Sequence, residues 1–183
     1  RMTVQIAMLT AVAEVLMLFD FPLPFAPSFY KIDLSEVPIL IGCFAMGPAA
    51  GIIIEAMKIL LNFIISGTVT AGVGELANFA IGCSMVLPAG LIYRYHKTRK
   101  QAIIGMATGT LVMAAIGGLL NAFVLLPAYA ALFGGMDAII GMGTAVNKNI
   151  TSVQSFVLLS VVPFNLVKGV IVSLVTFLLY KHV

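Results

Sequence analysis

Charge is the first thing this chain is short of. Of its 183 residues only 9% are Asp, Glu, Lys or Arg, whereas 61% are hydrophobic. A soluble domain of this size carries about a quarter charged residues. So little charge cannot cover the outside of a water-soluble fold, which points to an integral membrane protein in a single domain. Tryptophan is absent, so an aromatic belt at the membrane surface falls to five tyrosines and twelve phenylalanines. Only two cysteines are present, Cys43 and Cys83, both in apolar surroundings. Neither has a Cys or His at ligand spacing, which argues against a disulfide or a metal site.

Catalytic signatures are missing too. There is no G-x-x-x-x-G-K-[ST] phosphate loop, so the chain cannot hydrolyse ATP by itself. There is no H-E-x-x-H and no Ser/His/Asp set, and an enzyme is not expected. His96 and His182 lie beside basic residues and are expected to be solvated. No inverted repeat is detectable, although many secondary transporters carry one. No nucleic-acid partner is expected.

What is present is a succession of apolar runs. A helix needs about 20 residues to cross the hydrocarbon core. Runs between breakers predict an all-α, polytopic bundle of six transmembrane helices at 3–19, 35–47, 49–66, 75–95, 102–130 and 155–181. The first run is followed by further spans and lacks a small-residue cleavage site, so it is read as a span rather than a signal peptide. The second is short and ends at Gly47-Pro48, a tight break. Gly117-Gly118 and Pro127 predict that the fifth bends or emerges before its end.

Basic residues orient these spans. Arg94, Lys97, Arg99 and Lys100 crowd the 92–101 loop, on the same side as Arg1 and Lys181. Lys31 and Lys148 fall on the other side, and Lys58 and Lys168 within spans. Both termini and that loop are therefore expected in the cytoplasm of a multi-pass cell-membrane protein. The outer side then receives connections 20–34, 67–74 and 131–154, whose length suits a lid or binding surface.

Polar side chains at membrane depth are costly and face the protein interior. Asn165 and Lys168 lie ~15 and ~20 Å from the outer end of the sixth span, on one helix face. Pro163 leaves the carbonyl of Leu159 without its helical donor. Glu75 and Asn78 open the fourth span, with Phe79 adjacent and predicted to face the same cavity. Asn121 lies ~28 Å from the inner end of the fifth. Asn78, Asn121 and Asn165 thus fall in the outer half, and uncharged amides suit a neutral, polar, heteroaromatic or multi-hydroxyl solute. Interhelical hydrogen bonding is the competing role for them. Glu55, Lys58 and Asn62 form one stripe, read as an internally neutralised pair or as a lysine awaiting a partner on another span. Ala7/Ala11 and Gly105/Gly109 form small-residue faces that let helices approach closely.

The run FYKIDLSEVPILIGCFAMGPAAGIIIEAMKILLN, residues 29–62, resembles the riboflavin-specific S components, the RibU group, of energy-coupling factor (ECF) transporters. GELANFAIG at 74–82, PFNLVKG at 163–169 and Ala7-x-x-x-Ala11 match the same pattern in the same order. The resemblance implies six membrane helices with both termini inside and a vitamin pocket near the outer surface. It implies riboflavin as transported ligand rather than cofactor. It also implies partnership with a transmembrane T component and two ABC-type ATPases, the T component docking on the face of Ala7 and Ala11. On this basis Asn165 and Lys168 are assigned to the polar end of the flavin, with Asn78 and Asn121 completing it. Glu75, Phe29, Tyr30, Lys31 and Asp33 are further candidates, the loop at 20–34 lying over the site. Lys168 either reaches the ligand or balances a carboxylate such as Glu55 or Glu75. Another vitamin, thiamin or biotin, and a self-sufficient ion-coupled carrier are the alternatives.

Overall fold

A computed structural model describes residues 1–180. Lys181 and His182, both placed at the cytoplasmic end above, lie outside the described residues. The chain folds as seven helices and one small hairpin among those residues: α1 (Met2–Leu18), β1 (Phe21–Pro22), β2 (Lys31–Ile32), α2 (Glu36–Met46), α3 (Pro48–Ser66), α4 (Val73–Tyr95), α5 (Arg99–Phe133), α6 (Met136–Val146) and α7 (Val153–Tyr180). The all-α expectation holds. Four helices, α3, α4, α5 and α7, are long and apolar enough to cross a membrane, at 19, 23, 35 and 28 residues. The apolar helices α1 and α2 are shorter, at 17 and 11 residues.

The break between α2 and α3 falls where the sequence put it. Gly47 takes φ 104°, a left-handed conformation that suits glycine, and Pro48 opens α3 where its missing N–H costs nothing. The 131–154 connection, predicted from its length to suit a lid or binding surface, carries α6 in its middle. The fifth helix runs through Pro127 to Phe133. Its irregularity is a π-helical turn at Asn121–Leu125, two residues before that proline. A matching π turn at Val157–Val161 precedes Pro163 in α7. In both places the proline cannot donate to the carbonyl four residues back, and a widened turn takes up the mismatch.

Close packing rests on small residues. A Cβ on Gly105 would lie 2.7 Å from the Ala89 carbonyl oxygen, and one on Gly109 would meet the Met85 carbonyl, so α4 and α5 pack backbone to backbone. Cys43 packs as a small buried hydrophobe, its Sγ 3.6 Å from the Val86 carbonyl. One apolar cluster, with Leu40, Phe44, Met85, Met106 and Val172, fills one half of the bundle. A second, with Tyr30, Leu126, Ile139, Phe156 and Phe164, lies at the other end, under the hairpin and α6. Among the buried polar residues of α5 and α7, Asn121, Asn165 and Lys168 fall along the chain between the two.

Gly105→Val is expected to push α4 and α5 apart and destabilise the protein by about 1–3 kcal/mol, read as a lower melting temperature in detergent. An unchanged melt would mean that the two backbones can separate without loss.

Candidate functional site

A cavity of about 600 Å³ opens at the end of the bundle that carries the hairpin. Its wall is periodic because helices build it. From α4 come Glu75, Asn78 and Ile81, three residues apart on one face. Phe79 lies one position beyond Asn78, rotated by about 100°, and does not line the cavity. Its assignment to the site is therefore withdrawn. From α5 come Asn121, Leu125, Tyr129 and Phe133, a strict i+4 repeat. Only Asn121 was singled out from sequence, although the repeat was there to read in NAFVLLPAYAALF. From α7 come Phe164, Asn165 and Lys168, and the hairpin supplies Phe29, Tyr30, Lys31 and Asp33.

The polar groups differ in how far the protein already satisfies them. Asn121 donates from Nδ2 to the Gly117 carbonyl at 2.7 Å, and its Oδ1 accepts from the Tyr30 hydroxyl. Burial pushes the Tyr30 phenol above its usual range, so it remains a donor. Asn165 occupies space left by Gly117, whose Cβ would fall 2.5 Å from the Asn165 Nδ2. Among the described residues the side-chain amides of Asn78 and Asn165 make no hydrogen bond to protein, which leaves both for a ligand. Glu75 accepts from Thr68 and Thr70 at 3.0 and 3.4 Å. Lys31 pairs with Asp20 at 3.1 Å across the exposed hairpin.

Lys168 Nζ lies 3.3 Å from Asp33 Oδ2. The carboxylate it balances is thus neither Glu55 nor Glu75 but the one at the foot of the hairpin. Asp33 Oδ1 also accepts from the Ser35 backbone N–H at 2.8 Å. Burial alone raises the Asp33 carboxyl, but the Lys168 and Lys58 ammoniums and the Ser35 hydrogen bonds outweigh it and hold it at about 2. It stays ionised at any working pH.

Behind this wall sits a second group. Lys58 Nζ is 2.9 Å from Glu55 Oε1, an ion pair whose angle falls short of a hydrogen bond. It also donates to Glu36 Oε1 at 3.1 Å and to the Ser35 hydroxyl at 3.3 Å. Both readings of the α3 stripe are therefore met: Lys58 pairs within its helix and across to α2. Glu36 was missed from sequence, where it reads as the first residue of an apolar run. Asn62, on the same stripe, donates to Glu14 of α1 at 3.2 Å. Ala7 and Ala11 are both exposed on α1.

Comparison with known proteins follows the same lines. The family model for the ECF transporter substrate-specific component matches residues 1–180. The chain belongs to this family. Riboflavin transporter RibU of Staphylococcus aureus (strain TCH60) is 37% identical over 179 residues, covering 98% of this chain and 88% of that protein. Riboflavin transporter FmnP of Bacillus subtilis (strain 168) is 33% identical over 178 residues, covering 97% and 88%. A solved S component of a bacterial ECF transporter matches with a TM-score of 0.78 and 37% identity, covering 99% of this chain and 94% of that one. The chain is a membrane transporter component, not an enzyme.

Lys58→Met strands two carboxylates in the interior and is expected to destabilise the protein by about 3–5 kcal/mol. Lys58→Met combined with Glu36→Gln and Glu55→Gln removes the stranded charge and is expected to recover most of the loss in the same thermal melt. A single variant as stable as the parent would show the group to be dispensable.

Proposed function

We propose that this protein is the riboflavin-binding S component of an ECF importer, taking the vitamin from outside and passing it inward with an energy-coupling module. The observation that carries this reading is the composition of the 600 Å³ cavity. It combines two amides left open, Asn78 and Asn165, and a neutralised Lys168 with the rings of Phe29, Tyr129, Phe133 and Phe164. Pockets for small organic ligands have this character, mostly apolar with a few placed polar groups. An isoalloxazine is flat and apolar at one end and carries a hydrogen-bonding pyrimidine edge at the other. Amides serve that edge, rings pack on the dimethylbenzene end, and hydroxyls of a ribityl chain suit Glu75 and the backbone. The cavity holds no arginine, which fits a cargo without phosphate. Both relatives named above are riboflavin transporters.

In this reading α1 and α2 complete six crossings with the four longer helices. Both termini and the basic 92–101 loop face the cytoplasm of a multi-pass cell-membrane protein. The hairpin strand β2 and its Asp33 contact close the outer mouth. A T component and two ABC-type ATPases supply the energy, and the exposed Ala7 and Ala11 give the T component a smooth face on which to pack. Riboflavin is cargo and no cofactor is needed.

Riboflavin is expected to lose fluorescence on titration with the purified protein. Asn165→Ala is expected to weaken binding about tenfold, the worth of one well-placed hydrogen bond in a desolvated site. No quenching by riboflavin, or equal displacement by thiamin or biotin, overturns the assignment. Ala7→Leu with Ala11→Leu is expected to spare flavin binding and to lower co-purification with the T component severalfold. Uptake into liposomes by this chain alone would overturn the need for partners.

A further inference from the structure

The end of the bundle away from the ligand cavity carries a second concave feature, separate from the residues that line that cavity. Two cavities of about 350 and 370 Å³ lie there and share Phe44, Ala45, Tyr93 and Lys97, so they form one groove. Its floor is apolar, with Ile41, Phe44, Ala45, Pro48 and Leu91. Aromatic packing stiffens that floor. The Phe44 and Tyr93 rings lie 4.6 Å apart, and Tyr180 stands edge-on to both at 5.9 and 5.6 Å. The Tyr93 and Tyr180 hydroxyls are hydrogen-bonded to each other, which removes their polarity from the groove.

The rim is cationic. Arg94, Lys97 and Arg99 line it, all exposed, with Lys100 beside them. Among the described residues none of these cations pairs with a carboxylate. None of the seven Asp and Glu residues of the chain lines either cavity. The N-terminus of α3 opens into the first cavity through Gly47, Pro48 and Ala49 and adds partial positive charge. Tyr95, 82% exposed, stands next to the rim, where an aromatic ring suits the headgroup layer.

We propose that this groove is a binding site for an anionic phospholipid. The rim belongs to the ends of α4 and α5, two helices long and apolar enough to cross the bilayer, so it lies at headgroup depth. A lipid phosphate there meets three cations, Arg94, Lys97 and Arg99, that pair with no carboxylate among the described residues, and one acyl chain covers the apolar floor. A soluble anion satisfies the rim and leaves the floor wet. A zwitterionic choline headgroup brings its own cation against Arg94, Lys97 and Arg99. Only a molecule with both an anionic head and an apolar tail matches both parts of the groove.

The experiment is native mass spectrometry of the purified chain with dioleoylphosphatidylglycerol or dioleoylphosphatidylcholine. Phosphatidylglycerol adducts are expected to exceed phosphatidylcholine adducts. The variant R94Q/K97Q/R99Q is expected to weaken phosphatidylglycerol binding by about fivefold per cation removed, while riboflavin binding and melting temperature stay at the parent values. The variant R94K/R99K, which keeps the charge, is expected to retain the preference. Equal adducts of the two lipids, or undiminished phosphatidylglycerol binding by the triple variant, overturn the proposal. Competition by glycerol 3-phosphate as strong as by the intact lipid would make the groove a free-anion site and also overturn it.

Discussion

The constraint on which the rest of the structure depends is the pairing of buried charge. Asp33, Glu36, Glu55, Lys58 and Lys168 are all buried in a chain with little water to offer them. Lys58 ties α3 to α2 through Glu36 and to its own helix through Glu55. Lys168 ties α7 to Asp33, the first of three residues between β2 and α2. Ser35 joins the two groups, since its N–H serves Asp33 and its hydroxyl accepts from Lys58. Such pairs add little net stability, because desolvating the ions offsets their attraction. Their force lies in what they forbid. Any shift of α2, α3 or α7 that parts a pair leaves a bare charge in an apolar interior. The hairpin, the short second helix and the seventh helix are therefore held in one register, and the ligand cavity inherits that register.

The two π turns do a related job with backbone geometry. Asn121 begins one of them, and Asn165 lies four residues beyond the other. A widened turn rotates the residues that follow relative to a regular helix. The i+4 stripe of Asn121, Leu125, Tyr129 and Phe133 faces the cavity through such a turn, and Phe164, Asn165 and Lys168 face it just after one. Gly117, one turn before the first, has no side chain to block Asn165. Proline, glycine and asparagine thus serve one purpose here: they turn polar side chains inward at a depth where facing lipid is costly.

Much of this was legible in the sequence because the membrane imposes a strong rule. Apolar run length marked the long helices, and Gly47-Pro48 marked the break between α2 and α3. Polar residues within spans marked the cavity, so Asn78, Asn121, Asn165 and Lys168 all line it. What was missed depends on tertiary partners or rotational phase. Phe79 was included for adjacency to Asn78, whereas side chains one position apart on a helix diverge by about 100°. Glu36 was passed over because a lone acid at the start of an apolar run has no visible partner until α3 packs on α2. Asp33 was read as a ligand contact rather than as the counter-ion of Lys168, since 135 residues separate the pair. Helix α6 was passed over because its 11 residues are too short for a span and lie in a connection judged by length alone.

A pocket that must stand empty before each cargo molecule arrives faces a particular problem. Groups that suit the ligand are costly when the ligand is absent, because each is a buried polar atom without a partner. Here the groups with most to lose are satisfied internally. Lys168 has Asp33, Asn121 has Tyr30 and Gly117, and Glu75 has two threonines. Those left open are neutral amides, Asn78 and Asn165, whose cost of waiting is smaller than that of a charge. Pre-paired groups also do not wander, so the ligand meets a wall already in position and loses less ordering entropy on binding. Recognition of a neutral cargo and a stable empty state then follow from the same arrangement: charge neutralised within the protein, and recognition left to uncharged donors and acceptors held by charge.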